Sequence, residues 1–222
     1  MWDGVVAELG EGHAAVRHEL RGFGDTPPPA QGCYSDAEDL ASALDGPVVL
    51  VGASYGGQVC LELAAARPEL VRGLVLLAAP LPDHEWSPKV EAYAKEEDRL
   101  LEARELDGAT ELNVAFWAGA AEPAVQRAVR GMQRRAFELQ LASSAEAIEP
   151  SPINLAAVSA PALVATGDRD IEDFQRIAAR LTEALPNARR VSIEGAGHLP
   201  ALERPRETAA LLDDFLEDLR GV

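Results

Sequence analysis

Ser54 sits in Gly52-Ala53-Ser54-Tyr55-Gly56-Gly57, directly after the apolar run Pro47–Gly52 and at the head of a helical pattern. A serine flanked by small residues between a strand and a helix fits a sharp turn that lifts its hydroxyl clear at the C-terminal end of the strand. Ser54 therefore reads as a nucleophile. The backbone N–H of Tyr55, at the helix start, is expected to face the place where an oxyanion would form. The alternative is a glycine-rich turn with a surface serine. A phosphate-binding loop is excluded, because no Gly-Lys-Ser/Thr follows.

A serine nucleophile needs a base and a group that orients the base. Of the chain's 4 histidines, His198 lies in Gly195-Ala196-Gly197-His198-Leu199-Pro200, just past the last strand signal. It would share the C-terminal sheet edge with Ser54, and it is the expected base. His13 and His18 flank an early segment, where a packed or exposed structural role fits better, and His84 opens the helical stretch after the second strand, where it is a lesser candidate to line the pocket. The orienting acid is sought in Thr166-Gly167-Asp168-Arg169-Asp170. Asp170 lies further into that loop and can turn toward His198, whereas Asp168 is expected to cap the turn or the following helix. Asp83 is a third candidate.

The elements that must position these residues can be read from periodicity. Pro47–Gly52, Leu74–Ala78, Pro161–Ala165 and the shorter, alternating Arg190–Glu194 read as strands of a parallel sheet separated by amphipathic helices, and Ala14–Leu20 as a strand near a sheet edge or half covered. Ser35 and Glu38 form a capping box for a helix over Asp36–Leu44. Pro68 ends the helix after Tyr55, and Gly221 ends a last helix over Glu207–Arg220, whose acidic run from Asp213 to Asp218 reads as a solvated face. The order is that of a βα-repeating parallel α/β fold. From Leu81 to Pro150 only helices are expected: Pro88–Leu106, Ala109–Trp117 and Pro123–Ala142. So long an insertion between strands exceeds a crossover and reads as a lid, leaving through Pro150-Ser151-Pro152. Residues 1–80 and 151–222 would then form the core, and 81–150 the lid.

Composition narrows the function. With 20 basic and 37 acidic residues in 222, the net charge is −17 and the pI near 4.6. That sign argues against nucleic-acid or anionic-membrane partners, which require clustered Lys and Arg. No apolar run approaches the ~18 residues of a membrane span. The opening Met1-Trp2-Asp3 has no leader character, and Cys33 and Cys60 are expected as reduced thiols of a cytoplasmic protein.

Taken together, Glu19–Gly24, the Gly52–Gly57 turn, Gly167–Asp170 and Gly197–Pro200 occur in an order that resembles the α/β-hydrolase superfamily. Within it, the chain is similar to lid-bearing small-molecule hydrolases related to enol-lactonases, esterases and cofactor-free haloperoxidases. The resemblance implies a Ser54–Asp170–His198 triad in the chain order of that fold. It implies a helical cap, no cofactor and no metal. Haloalkane dehalogenases and epoxide hydrolases of this fold carry aspartate where Ser54 stands, so acyl chemistry on a small ester or lactone remains. Trp86, Tyr93, Phe116 and Trp117, with Leu199 beside the base, are candidates for the acyl pocket; the aromatics at helical spacing also fit lid core.

The resemblance is incomplete at the front. Family members carry three strands before the segment that begins here at Trp2, which resembles the first family helix with Asp3 as N-cap. The loop entering that helix carries a His-Gly pair that supplies a second oxyanion donor, and His-Gly occurs nowhere in this sequence. The implied sheet lacks those strands, and loss of one donor costs about 10²–10³ in turnover. An uncovered sheet edge would also invite self-association. A misassigned start codon or gene fragment competes with a functional short form. Beside the serine hydrolase stand an inactive α/β-hydrolase-fold binding protein and a carbon–carbon hydrolase or cofactor-free peroxidase relative.

Overall fold

The structure, a computed structural model, describes residues 1–148 and 152–220. In chain order it contains α1 (Asp3–Leu9), β1 (Cys33–Tyr34), α2 (Asp36–Ser42), β2 (Val48–Ala53), α3 (Tyr55–Ala66), β3 (Val71–Leu77) and α4 (Pro88–Glu102). There follow α5 (Leu106–Ala118), α6 (Pro123–Leu141), β4 (Glu146–Ala147), β5 (Ala162–Gly167), α7 (Glu172–Ala184), β6 (Ala188–Ile193), α8 (Pro200–Glu203) and α9 (Pro205–Arg220). Contacts divide the chain into two units, Met1–Arg17 with Ala37–His84 and Pro150–Val222, and His18–Asp36 with Glu85–Glu149.

The first unit is built on a parallel sheet in the order β2-β3-β5-β6. Leu74, Val75, Leu76 and Leu77 of β3 are all 0% exposed, the burial expected of a strand covered on both faces. Alternation sends Val75 and Leu77, with Leu163 and Ala165 of β5, to one core that includes Val5, Leu212 and Phe215 from α1 and α9. Gly73 marks how closely α9 approaches: a Cβ there would lie 2.6 Å from a Leu219 methyl. On β2 and β3 packs α3, while α7 packs on β5 and β6. This is the βα-repeating parallel α/β architecture that the periodicity implied.

The second unit holds the helices of the long insertion and also residues 18–36. Its core joins Leu100, Ala109 and Phe137 of α4, α5 and α6. A short parallel pair, β1 with β4, aligns Cys33 with Glu146 and Tyr34 with Ala147. Two residues per strand are too few for alternation to announce.

Several expectations need correction. Ala14–Leu20 is not a strand, and Val16 is 96% exposed. No described strand offers this segment a ladder, and alternation without a partner or a covered face does not make a strand. Asp3 is the first residue inside α1 rather than its cap; the preceding residue is Trp2, and the Asp3 carboxylate pairs with Arg17. The helix expected over Pro88–Leu106 stops at Glu102. Arg104 takes a left-handed φ of 58°, its N–H bonds Leu101 O and the Glu105 N–H bonds Leu100 O, which is a Schellman stop. Glycine usually occupies that position, so arginine there hid the break; its guanidinium donates to Leu141 O at 3.1 Å. Pro150 and Ser151 of the expected exit, and the Gly221 stop, lie outside the described residues. The acidic side chains from Asp213 to Asp218 are exposed on α9, as a solvated face should be. Among the described residues no helix is long and apolar enough to cross a membrane.

Burial pushes the Cys60 thiol up to about 12, while Cys33 is exposed. A thiol-disulfide reagent at pH 8 should therefore titrate one thiol in the native protein and two in denaturant. In urea melts, Leu163→Ala at a 0% exposed site should cost about 2–5 kcal/mol. Val16→Ala should stay within about 0.5 kcal/mol, and a loss like that of Leu163→Ala would restore the strand reading.

Candidate active site

Ser54 follows the last residue of β2 with φ 48° and ψ −127°, a conformation that L-residues adopt only under constraint. Three bonds impose it. The Ser54 N–H donates to Leu77 O at 2.8 Å, and Ser54 O accepts from Gly57 N–H at 2.8 Å and Gln58 N–H at 3.2 Å. The glycines around it are unequal. A Cβ on Gly52 would lie 2.3 Å from Gly56 O, and one on Gly57 would lie 2.7 Å from the Ala79 Cβ. At Gly56 a Cβ would meet nothing within 4 Å. The tight turn thus depends on Gly52 and Gly57. Tyr55 opens α3 immediately after the serine.

The β5 and β6 ends meet backbone against backbone. A Cβ on Gly167 would fall 2.2 Å from the carbonyl oxygens of both Ala196 and Gly197. Asp168 N–H donates to Ile193 O at 3.1 Å and Arg169 N–H to Ala196 O at 2.9 Å. This contact brings Asp170 to His198. Nδ1 of His198 lies 3.1 Å from Asp170 Oδ2 and 3.2 Å from Oδ1, and Nε2 lies 3.0 Å from Ser54 Oγ. An ionised carboxylate can only accept, so Nδ1 carries the ring proton and Nε2 is left to accept from the serine hydroxyl. The His198 and Asp170 side chains are 5% and 1% exposed, so little water competes for these bonds. Phe174 of α7 packs on the imidazole with ring centroids 4.4 Å apart. Phe174 carried no signal in the sequence, because an apolar residue on the buried stripe of an amphipathic helix reads as core.

The other candidates are placed elsewhere. Asp168 neither caps the turn nor the helix as expected; its Oδ1 accepts the Gly195 N–H at 2.7 Å and ties the two loops together. Asp83 pairs with Arg180, which holds its carboxyl below the usual carboxylate range. His84 Nε2 lies 3.2 Å from Asp173 Oδ1, and His13 Nε2 lies 2.7 Å from Asp213 Oδ1. Leu199 is half-buried beside His198.

Among the aromatics, Phe116 stacks on Tyr93 at 4.2 Å, and Trp117 sits edge-on to Tyr93 at 5.3 Å, inside the helical unit. Tyr93 is buried, which pushes its hydroxyl pKa up, and Glu97 adds to the shift. Asn113 Nδ2 donates to the Tyr93 hydroxyl at 2.9 Å. Trp86 is half-buried ahead of α4.

Comparison with known proteins gives a consistent family. The model of the alpha/beta hydrolase family matches residues 1–211. The pimeloyl-[acyl-carrier protein] methyl ester esterase of Nitrosomonas europaea is 26% identical over 234 residues, covering 96% of this chain and 89% of that protein. A thermophilic esterase from Thermogutta terrifontis superposes with a TM-score of 0.78 at 24% identity, over 98% of this chain and 85% of that one. The enol-lactonase from Burkholderia xenovorans also gives 0.78, at 21% identity, over 97% and 85% of the two chains. These last two are likenesses of fold.

The unequal glycines can be tested by stability alone. Gly52→Ala should cost about 2 kcal/mol or more, since its Cβ meets backbone that cannot yield. Gly56→Ala should be neutral or stabilising in the same urea melts; equal losses at the two positions would contradict the described turn.

Proposed function

Because the chain belongs to the alpha/beta hydrolase family and is an enzyme of the hydrolase class, we propose that it cleaves a small carboxylic ester or lactone through an acyl-enzyme on Ser54. The observation that carries this reading is the pair of contacts on one imidazole, Nε2 to Ser54 Oγ at 3.0 Å and Nδ1 to the Asp170 carboxylate at 3.1 Å. The relative named as a methyl ester esterase supports the ester substrate, and the fold shared with an enol-lactonase is compatible with a lactone.

In this reading Ser54 Oγ attacks the carbonyl carbon as its proton passes to His198 Nε2. The carbonyl oxygen becomes an oxyanion and accepts from the Tyr55 backbone N–H. Asp170 stays ionised and stabilises the imidazolium across Nδ1. His198 then gives its proton to the departing alkoxide, leaving Ser54 acylated. Water, deprotonated by His198, attacks the acyl carbon, and the acid leaves as Ser54 recovers its proton. A lactone follows the same steps, except that its alkoxide stays tethered to the acyl group.

Hydrolysis of p-nitrophenyl acetate and butyrate tests the assignment. Ser54→Ala should reduce turnover to background. Asp170→Asn should lower kcat by about 10⁴, because the wrong tautomer of His198 is then favoured. Asp168→Asn keeps an acceptor oxygen for the Gly195 N–H and should stay within a few-fold of the parent. Turnover that survives Ser54→Ala, or a larger loss at Asp168 than at Asp170, would overturn the reading.

A further inference from the structure

The loop that carries His198 is held through alternate amides by two carboxylates. Asp168 Oδ1 takes the Gly195 N–H at 2.7 Å. Glu203 takes the next two: its Oε2 accepts from Gly197 N–H at 2.9 Å and its Oε1 from Leu199 N–H at 3.0 Å. One side chain thus grips the residue before the imidazole and the residue after it. Gly197 leaves room for this grip, since a Cβ there would lie 3.1 and 3.2 Å from the two Glu203 oxygens.

Glu203 itself stands on a fixed platform. It ends α8, whose Pro200 and Ala201 are buried. Thr208 of α9, 0% exposed, donates from Oγ1 to Pro200 O at 3.1 Å. Hydrogen bonds with a charged acceptor are about twice as strong as neutral ones, and two from one carboxylate fix both translation and rotation of the gripped segment. The imidazole must meet two partners at once, donating from Nδ1 to Asp170 on one edge and accepting at Nε2 from the Ser54 hydroxyl on the other. A small turn of the backbone at Gly197 or Leu199 would break one contact or both.

We propose that Glu203 is a positioning residue for the hydrolytic reaction: its bidentate hold on Gly197 and Leu199 keeps the His198 ring on Ser54 and Asp170 together. The inference rests on the reading of Ser54, Asp170 and His198 as a triad. It predicts more than a stability role, because a carboxylate that only closed the α8 turn would affect proteins with and without His198 alike.

The test uses the full chain with Glu203→Gln, Glu203→Ala, His198→Ala and the double variant His198→Ala/Glu203→Gln. Its readouts are kcat and KM for p-nitrophenyl acetate, and the low-field proton resonance of the His198 Nδ1–H in the resting protein at low temperature. Glu203→Gln retains one acceptor oxygen and should unfold cooperatively, yet kcat should fall roughly 10–100-fold with KM within about twofold, the loss expected for a displaced catalytic group. Glu203→Ala should fall at least as far. In the His198→Ala background, Glu203→Gln should change residual turnover by less than about twofold, since groups that act as a unit are not additive. The low-field resonance should be present in the parent and broadened or lost in Glu203→Gln. An unchanged kcat, an equal fall in both backgrounds, or an unaltered resonance overturns the proposal, as does a parent without that resonance. If the parent hydrolyses no ester, the hydrolase reading has failed, and the resonance alone still decides whether Glu203 holds the ring.

Discussion

One imidazole has to reach two side chains that the sequence keeps far apart: His198 stands 144 positions from Ser54 and 28 from Asp170, yet its ring bonds both. Strands that end together at one edge of a parallel sheet do this with short loops. In the parallel sheet Ala53, Leu77, Ala165 and Val191 form one row of register partners across four strands. Ser54 is the next residue beyond that row on β2, and the Asp170 and His198 loops leave the same edge from β5 and β6. The site therefore inherits its precision from the sheet register. A shift of one residue anywhere in the ladder would turn the strands' buried side chains to the wrong face.

The edge carries local strain that a buried core can hold. Ser54 and Ala78, at the ends of adjacent strands, both have φ of 48° without being glycine. Each such residue costs on the order of 1–3 kcal/mol. Their N–H groups continue the ladder, Ser54 to Leu77 O and Ala78 to Ala165 O, both at 2.8 Å, so the strained residues stay bonded to the sheet. Behind them lie the fully buried side chains of β3 and β5. At the β5–β6 end the constraint is steric instead: Gly167 has no Cβ because two carbonyl oxygens occupy its place. Asp168 and Glu203 then tie down the loop that this contact brings near.

Much of this arrangement was legible in the residues, and what was not follows from physical causes. Three strands announced themselves as short apolar runs, most fully β3 and β5, whose burial on both faces narrows the choice of residue, while β6 showed only a shorter alternation in Arg190–Glu194. The serine turn was legible because its glycines are sterically required, although the requirement falls on Gly57 rather than Gly56. The approach of Asp170 and His198 agrees with the expected order of the motifs. Elements whose formation depends on a partner were not legible. Ala14–Leu20 alternates but finds no ladder, and β1 and β4 pair although each is two residues long. The stop at Arg104 uses backbone geometry that arginine does not advertise. Hydrogen bonds from a backbone amide to a carboxylate, as from Gly195 to Asp168 and from Gly197 to Glu203, depend on how the loops and α8 pack. No periodicity encodes that.

The proposed chemistry requires that His198 activate Ser54. Reaction of the native protein with a fluorophosphonate probe tests it most directly, with the modified residue located by mass spectrometry and the rate compared between the parent and His198→Ala. The parent should form a single adduct on Ser54, orders of magnitude faster than His198→Ala. A folded parent that takes up no probe, an adduct on another residue, or a rate that does not depend on His198 would contradict it.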